Sequence, residues 1–310
     1  MRALVTGGAG FIGSNLVEAL LKQGHAVRVV DNFSTGHRHN LEPYLADIEL
    51  VEGDLQSYER ASKAVHGMEV VFHEAALPSV PRSVQDPLTT NAVAVTGTLN
   101  VLLSARDSGV RRVVYASSSS AYGNNPENPR REGATPEPMS PYAVAKLAGE
   151  QYCRAFANVY DLETVSLRYF NVFGPRQDPN SQYSAVIPRF IRALRADDEL
   201  TVFGDGEQTR DFTFVDNVVA ANLLAAGASV TGGQVFNIAC GEAVTVNTLI
   251  AELADITGRK ARTTHLPVRP GDVRDSEADI SLARRMLGYE PIVHLREGLE
   301  RTAAWLTSRG

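Results

Sequence analysis

The chain has 310 residues, of which 44% are hydrophobic and 21% charged, and its formal net charge at pH 7 is -6. This mixture is typical of a globular chain with a buried core, and it excludes a fibrous or largely disordered protein. A mildly acidic protein has no general attraction to nucleic acid or anionic membranes, so we expect neither as a partner. Cys153 and Cys240 suit neither a disulfide framework nor a metal site, and we expect a cytoplasmic enzyme without a bound metal.

The first half of the chain alternates short apolar runs with longer stretches of helical periodicity. The runs predict strands at 2–6, 26–30, 48–51, 70–73, 113–116 and 164–167, and the longer stretches predict helices at 11–23, 57–65, 89–108 and 142–160. Strands that alternate with helices of this length indicate a doubly wound parallel sheet, and their near-continuous apolar character fits a sheet covered on both faces. We therefore predict an α/β fold of the Rossmann type for residues 1–170.

The second half, residues 171–310, has a different pattern. Loops rich in Gly and Pro occupy 173–179 and 203–206, and short helices are predicted near 187–195 and 246–257. The run 234–239 reads as a further strand that returns to the large sheet. This part is therefore predicted to form a smaller mixed lobe, with a ligand cleft beyond the carboxyl ends of the strands.

A glycine-rich turn follows the first predicted strand and opens the first predicted helix. Gly7, Gly10 and Gly13 have the spacing GxxGxxG. Gly7 would permit a tight turn, Gly10 a close approach of the backbone to a pyrophosphate, and Gly13 close packing of helix on strand. Helix N-terminal amides would then face the phosphates, which predicts a dinucleotide site.

Asp31 ends the second predicted strand, eighteen positions after Gly13. A carboxylate there suits the ribose hydroxyls of NAD and repels the 2′-phosphate of NADP, so NAD is the predicted cofactor although Arg38 lies close by. Asp54 and Leu55 follow the third strand. They would hold the adenine edge, or Asp54 would instead cap the next helix, and the sequence leaves both interpretations open.

Tyr142 and Lys146 are four residues apart in a predicted helix and therefore lie on one face. A free tyrosine has a pKa near ~10, and a neighbouring cation lowers it. The spacing thus predicts a proton-transferring tyrosine beside a dinucleotide.

Together these segments resemble the extended short-chain dehydrogenases/reductases, and within them the NAD-dependent nucleotide-sugar epimerase/dehydratase family, particularly UDP-hexose 4-epimerases. The resemblance covers essentially the whole chain and also draws on motifs at 117–123, 168–175, 203–212 and 269–272. It implies that Ser118, four positions before the tyrosine of Tyr122-Gly123, completes a catalytic set with Tyr142 and Lys146. It implies cofactor contacts from Gly7, Gly10, Phe11, Ile12, Gly13, Asp31, Asn32, Ser34, Thr35, Gly36, Asp54, Leu55, Ala75, Ala76, Ser117, Tyr142, Lys146 and Tyr169.

The resemblance also implies a mechanism. Tyr142 takes the proton of the sugar 4-hydroxyl while C4 gives a hydride to the nicotinamide, Lys146 lowers the tyrosine pKa, and Ser118 shares in proton transfer. The resulting 4-keto sugar turns over, and the hydride returns to its opposite face. Related dehydratases carry acidic residues just after the catalytic serine or threonine, whereas this chain has Ser119 and Ser120. Epimerisation is therefore the predicted reaction.

The substrate contacts are likewise implied by the resemblance. They are a sugar contact from Ser119, diphosphate contacts from Arg210 and Arg269, a diphosphate or sugar contact from Asn171, ribose contacts from Asp272, and uracil-side contacts from Val186, Thr201 and Phe203. Ser276 stands where a bulky tyrosine excludes N-acetyl groups in some members, so we expect UDP-N-acetylglucosamine to be accepted alongside UDP-glucose. Ala94 and Pro78 depart from the family pattern and put individual cofactor contacts in doubt.

Two alternatives stay open at this point. A UDP-glucuronate epimerase or decarboxylase would need a positive pocket for the sugar carboxylate, which the sequence does not reveal. A non-catalytic NAD sensor on the same fold would commonly lack the pair formed by Tyr142 and Lys146. The apolar stripes of helices 89–108 and 142–160 would form a homodimer interface in this family, or they would simply be core.

Overall fold

The structure is a computed structural model, and it describes residues 1–178, 186–268 and 273–308. The strands are β1 (Arg2–Thr6), β2 (Ala26–Asp31), β3 (Ile48–Glu52), β4 (Val70–His73), β5 (Arg112–Ser118), β6 (Glu163–Tyr169), β7 (Val172–Phe173), β8 (Leu200–Phe203), β9 (Thr209–Asp211), β10 (Thr213–Phe214), β11 (Gln234–Ile238), β12 (Ala243–Thr245), β13 (Thr263–Leu266) and β14 (Asp275–Ser276). The helices are α1 (Phe11–Lys22), α2 (Tyr58–Val65), α3 (Val80–Gln85), α4 (Pro87–Asn91), α5 (Gly97–Asp107), α6 (Pro141–Tyr160), α7 (Val186–Ala196), α8 (Val215–Gly227), α9 (Val246–Thr257), α10 (Ser281–Leu287) and α11 (Leu295–Ser308).

Seven strands form one parallel sheet in the order β11-β6-β5-β4-β1-β2-β3. The order reverses between β1 and β4, and this switch point opens a crevice at the carboxyl ends of the strands. The predicted Rossmann-type α/β fold is confirmed. Every residue of β11 pairs with β6, from Gln234 with Val165 to Ile238 with Tyr169, so the predicted returning strand covers this edge of the sheet.

Helices cover both faces of the sheet, which explains why its strands are apolar throughout. On one face Leu16 and Leu20 of α1 belong to a core cluster that continues into the C-terminal half. On the other face Val101 and Leu102 of α5 pack with Val65 of α2. A strand buried on both sides has no polar face, so its residues must be hydrophobic at consecutive positions.

The helix predicted at 89–108 is divided into three segments. α4 begins earlier, because Asp86 accepts a 3.0 Å hydrogen bond from the amide of Thr89 and Pro87 starts the first turn. A π-helical segment, Ala92–Thr96, then joins α4 to α5. Among the described residues, the stretch Pro87–Asp107 is by length and composition alone apolar enough to cross a membrane. Its buried members pack in the core described above, which accounts for this apolar character.

Several helices were not predicted. α3 begins at a cap formed by Ser79, whose hydroxyl accepts from the amide of Arg82 at 3.0 Å. α8 is buried on most sides, including Val215, Val218 and Ala225, so its sequence lacks the alternation of apolar and polar faces. Small sheets shape the C-terminal half, and in one of them β14 pairs with β9, which sets Ser276 beside Arg210.

Candidate active site

A cleft of about 780 Å³ lies at the carboxyl ends of the parallel strands. Every residue that the sequence assigned to the cofactor lines this cleft, namely Gly7, Gly10, Phe11, Ile12, Gly13, Asp31, Asn32, Ser34, Thr35, Gly36, Asp54, Leu55, Ala75, Ala76, Ser117, Tyr142, Lys146 and Tyr169. The convergence follows from the topology, because the carboxyl ends of parallel strands meet at one edge of the sheet.

The glycine turn has the geometry that its spacing predicts. Gly7 has a φ of +66°, and a side chain there would meet the backbone of Ala75 at 2.7 Å. A Cβ at Gly13 would lie 2.2 Å from the carbonyl oxygen of Gly7, so only glycine allows α1 to pack this closely on the turn. Gly10 caps α1 without a side-chain hydrogen bond, which leaves the first amides of the helix free to bind phosphate.

Asp31 is held at the end of β2 by two backbone amides. Its carboxylate accepts from Ala9 at 2.9 Å and from Phe33 at 2.8 Å, while burial raises its pKa. Each oxygen keeps a further lone pair with which to accept from a ribose hydroxyl. Arg38 forms an ion pair with Glu52 at the end of β3, so its charge is already engaged. A carboxylate that can accept hydrogen bonds from ribose hydroxyls at this position fits NAD.

Asp54 does not cap the helix that follows it. Ser57 is the cap of α2, and its hydroxyl accepts from the amide of Arg60 at 3.4 Å. Asp54 instead accepts from the amide of Gln56 at 2.8 Å and from the side chain of Asn32 at 3.0 Å. Asp54, which the sequence placed near the adenine together with Leu55, is thus joined to Asn32, another predicted cofactor contact, and the capping interpretation is wrong.

Tyr142 and Lys146 lie in the first turns of α6, whose position is fixed by a capping serine. The hydroxyl of Ser140 accepts from the amide of Ala143 at 3.2 Å. Lys146 is 3% exposed, and its ammonium donates a 2.7 Å hydrogen bond to the carbonyl oxygen of Ala116 on β5. The lysine therefore ties α6 to the strand that precedes Ser118.

The expected lowering of the tyrosine pKa is wrong for this structure. Burial raises the pKa of Tyr142 above its usual value, and a hydrogen bond with Ser118 lowers it only in part. Burial also lowers the pKa of Lys146 to about 8, although Glu74 and Glu150 act in the opposite direction. Spacing along a helix predicts proximity but not desolvation, and here desolvation is the larger effect.

Ser118 is the last residue of β5, as predicted, and its hydroxyl accepts from the amide of Ser120 at 3.2 Å. The next residues, Ser119 and Ser120, begin a short 3-10 turn that ends at Tyr122. All three serines are half-buried and line the cleft. The turn places several hydroxyl groups, and no carboxyl group, directly after the strand.

A buried ion pair supports this end of the sheet. Glu150 of α6 accepts two hydrogen bonds from Arg168 of β6, at 2.8 and 2.7 Å, and a third from the hydroxyl of Ser117. Glu150 is 1% exposed and Arg168 3%, so water contributes little to their solvation. These bonds hold α6 against β6, which carries Arg168, and against β5, which carries Ser117 and ends at Ser118.

The predicted substrate residues do not all reach the cleft. Ser118, Ser119, Tyr142, Asn171, Arg210 and Ser276 line it. Val186 at the start of α7, and Thr201 and Phe203 on β8, are half-buried but do not line this cleft, so their role stays a prediction. Arg269 and Asp272 lie outside the described residues.

Two further residues line the cleft, Glu74 and Arg130, and neither belongs to the predicted site residues. Glu74 accepts a 2.8 Å hydrogen bond from the hydroxyl of Tyr169, and burial raises its pKa to about 7. Arg130 also lines the cleft and is 5% exposed. His73, next to Glu74, is a structural residue held between Thr6 and Thr98 at 2.8 and 2.9 Å, and burial lowers its pKa to about 3.

His37, Arg38 and His39 follow one another at the end of the loop after β2. The two imidazole rings stack with centroids 5.1 Å apart, and His37 lies 3.4 Å from a carboxylate oxygen of Asp178. Across residues 1–178, 186–268 and 273–308, no three His, Cys, Asp or Glu side chains are grouped so that they could hold a metal ion.

Fold and cleft together define the class: an α/β protein built to hold a dinucleotide beside a tyrosine, a lysine and a serine. A model of the NAD dependent epimerase/dehydratase family matches residues 3–239. The chain is 40% identical to a UDP-glucose 4-epimerase of Mycolicibacterium smegmatis over 317 residues, which cover 100% of this chain and 99% of the relative.

Two solved structures extend the comparison. A UDP-N-acetylglucosamine 4-epimerase from Methanobrevibacter ruminantium, in complex with UDP-N-acetylmuramic acid, superposes with a TM-score of 0.95 at 38% identity and covers 100% of this chain and 99% of its own. A UDP-glucuronic acid 4-epimerase from Bacillus cereus, in complex with UDP-glucuronic acid and NAD, has a TM-score of 0.92 at 33% identity and covers both chains fully. The chain belongs to the NAD-dependent epimerase/dehydratase family; it is an enzyme, and its cofactor is NAD.

Proposed function

We propose that the protein is a UDP-hexose 4-epimerase that interconverts UDP-glucose and UDP-galactose, and that it also accepts the corresponding N-acetylhexosamines. The observation that carries the proposal is the meeting of Tyr142, Lys146 and Ser118 in the cleft that contains the glycine turn. The identity to named UDP-sugar 4-epimerases over the whole chain supports it.

In this proposal Tyr142 is the general base and acid. It removes the proton from the 4-hydroxyl and later returns it, while Ser118 holds the same oxygen and shares a hydrogen bond with the phenol. Burial lowers the pKa of Lys146 to about 8, so its ammonium is still protonated at neutral pH, and it holds α6 against β5 through its hydrogen bond to the carbonyl oxygen of Ala116. NAD, when bound, supplies the hydride acceptor and donor at C4.

The chemistry at the end of β5 favours epimerisation over elimination of water. Loss of the 6-hydroxyl from a 4-keto sugar needs an acid that protonates the leaving oxygen. Ser119 and Ser120 lie directly after the catalytic serine, and neither supplies such a proton at neutral pH. Glu74 also lines the cleft, but its carboxyl group already accepts a hydrogen bond from the hydroxyl of Tyr169.

The second half of the chain is proposed to bind the nucleotide diphosphate. Arg210 lines the cleft from β9, where its Nη1 also donates to the carbonyl oxygens of Thr209 at 2.7 Å and Arg274 at 3.0 Å. These bonds hold the guanidinium in place, and a guanidinium suits phosphate oxygens. Ser276, its partner across the strand pair, leaves room for an acetamido group.

The deciding experiment is an NMR incubation of the purified protein, separately with UDP-glucose and UDP-N-acetylglucosamine. We expect the galacto epimer of each to accumulate with no net reduction of added NAD. Complete absence of product from both substrates would overturn the proposal and favour a non-catalytic NAD sensor.

We also propose that the protein is a homodimer, as the family resemblance implies. Exposed apolar side chains lie on neighbouring helices: Leu88 of α4 is 82% exposed, and Val144 and Val159 of α6 are 52% and 69% exposed. Exposed apolar patches of this kind favour association. Light scattering on the wild type should give twice the chain mass, and Leu88→Glu should shift it toward the monomer. Cytoplasmic localisation is part of the same proposal, and the two free buried cysteines are compatible with a reducing compartment.

A further inference from the structure

Among the residues that the structure describes, Arg130 is a buried cation with no ion-pair partner. Its side chain lines the cleft and is 5% exposed. Within residues 1–178, 186–268 and 273–308 the guanidinium makes no hydrogen bond or ion pair, and its Nη1 is buried without a partner. The other deeply buried arginines differ, since Arg112 pairs with Glu163 at 2.7 Å and Arg168 pairs with Glu150.

The backbone of Arg130 is fixed, so this arrangement belongs to the fold. Its amide donates to the carbonyl oxygen of Glu277 at 2.7 Å, and its own carbonyl accepts from the amide of Asp279 at 2.9 Å and the side chain of Asn237 at 2.9 Å. These bonds join the loop after the serine turn to the segment that follows Ser276. The backbone of Arg130 is therefore held at the place where the two halves of the chain meet.

An unpaired buried cation costs free energy unless a ligand compensates for it. Burial lowers the pKa of Arg130, and Tyr122, Glu127 and Glu137 oppose that shift only from a distance. Glu127 itself lies 3.8 Å from the guanidinium of Arg131. An arginine at neutral pH keeps its charge even so, because its ordinary pKa is above ~12. The cleft thus presents a permanent positive charge whose natural complement is an anion.

We propose that Arg130 is a specificity-determining residue that binds a carboxylate carried by the hexose of the nucleotide sugar. This inference rests on the proposed function and extends its substrates to UDP-uronic acids. A carboxylate is the group that a guanidinium binds bidentately and that a neutral hexose lacks. Arg130 also supplies the positive pocket for a sugar carboxylate that the sequence did not reveal.

The position of Arg130 favours the sugar over the diphosphate. Asn237 joins Arg130 to the turn that follows the catalytic serine, because it accepts from the hydroxyl of Tyr122 at 2.6 Å and donates to the carbonyl oxygen of Arg130 at 2.9 Å. Arg210, the proposed diphosphate residue, comes from β9 in the other half of the chain. Two cations from different elements can bind the diphosphate and the sugar carboxylate of one ligand. A nucleotide sugar with a neutral hexose would use only Arg210.

The test compares three ligands by titration calorimetry on the full-length protein with NAD present. The ligands are UDP-glucuronate, UDP-glucose and UDP, and the variants are Arg130→Met and Arg130→Lys. Arg131→Met is the matched control, because Arg131 is adjacent but its side chain is 64% exposed. We expect Arg130→Met to weaken UDP-glucuronate binding by about 10- to 100-fold and to change the other two affinities less than about threefold. Arg130→Lys should retain part of the uronate affinity, and Arg131→Met all of it.

Three results would overturn the inference. These are failure of the wild type to bind UDP-glucuronate, unchanged uronate affinity in Arg130→Met, and equal losses for all three ligands, which would place the arginine at the diphosphate or in a purely structural role. Thermal unfolding of each variant identifies a misfolded protein, and Arg130→Lys then replaces Arg130→Met in the comparison. Epimerisation of UDP-glucose by the wild type is followed in parallel, so that failure of the proposed function is recognised separately.

Discussion

The ammonium of Lys146 donates a 2.7 Å hydrogen bond to the carbonyl oxygen of Ala116. This bond joins the helix that carries Tyr142 to the strand that ends at Ser118. The lysine therefore has a positioning effect in addition to its charge, because it holds the phenol and the serine hydroxyl at the same end of the cleft. Both ends of the bond are buried, so water does not compete for it.

Replacement of the phenol should remove proton transfer without removing binding. We expect Tyr142→Phe to lower the turnover of UDP-glucose by about 100- to 10,000-fold, the usual contribution of a positioned general base. Tyr152→Phe is the matched control, since Tyr152 lies on the same helix and is 36% exposed. Turnover is followed by NMR and NAD binding by calorimetry. Retention of most of the activity by Tyr142→Phe would exclude the phenol as the base.

The pH dependence of the reaction should reveal the hydrogen bond between Ser118 and Tyr142. Burial raises the pKa of Tyr142 and this hydrogen bond lowers it, so Ser118→Ala should raise the pKa further. The rate requires the phenolate and increases as pH rises through that pKa, so the rising limb should move to higher pH. At a fixed pH below the limb, turnover should fall about tenfold for each unit of movement. Ser118→Thr, which keeps the hydroxyl, should leave the limb near its original position, and a limb unmoved in Ser118→Ala would refute the coupling.

The close approach of α1 to the glycine turn should make Gly13 intolerant of a side chain. In Gly13→Ala the new methyl group would lie 2.2 Å from the carbonyl oxygen of Gly7, so the helix must shift. We expect a loss of about 1–3 kcal/mol in the free energy of unfolding, together with weaker NAD binding. Gly133→Ala is the control, because a methyl group there meets nothing within 4 Å. Urea denaturation compares the stabilities of the two variants, and calorimetry compares their NAD binding. Equal stabilities would show that the turn is less constrained than described.

The buried pair of Glu150 and Arg168 should contribute more to stability than exposed pairs. Glu150→Gln leaves Arg168 charged and 3% exposed without its carboxylate, and we expect a loss of about 3–5 kcal/mol in the free energy of unfolding. Glu252→Gln breaks an exposed pair with Arg296 and should cost less than about 1 kcal/mol. Denaturation midpoints of the two variants give the comparison. Similar small losses would mean that the buried charge is solvated by other groups.

The size of residue 276 should control which hexoses are accepted. Ser276 is half-buried at the cleft wall, and a tyrosine there would occupy the space proposed for an acetamido group. We expect Ser276→Tyr to lower the ratio of UDP-N-acetylglucosamine turnover to UDP-glucose turnover by at least about tenfold. The two substrates are compared in one NMR assay. A wild type that rejects UDP-N-acetylglucosamine as strongly as the variant would sink the size argument.

The parts of the site that depend on local sequence could be predicted. Gly13, Asp31 and the pair of Tyr142 and Lys146 follow from spacing along one strand or helix, and the structure places them as the spacing requires. α8 could not be predicted in the same way, because it is buried on most sides and a periodic pattern needs a polar face.

Properties that arise from distant contacts were missed or wrong. The lowered pKa expected for Tyr142 is reversed by burial, which is set by elements far away in the chain. Arg130 was missed because the hydrogen bonds that fix its backbone beside the cleft are made with Glu277 and Asp279, nearly 150 positions later. The hydrogen bond that Glu74 accepts comes from Tyr169, a residue of another strand, β6. Sequence spacing carries none of this information.

The pairing of β11 with β6 also has a consequence for synthesis of the chain on the ribosome. β6 ends at residue 169, but the strand that covers its free edge ends at residue 238 of 310. Until that point the nascent sheet presents an apolar edge with unpaired amides and carbonyls, which is a template for aggregation. We expect truncated chains that stop before residue 234 to require chaperones, even though they already contain the whole glycine turn and the residues from Ser118 to Lys146.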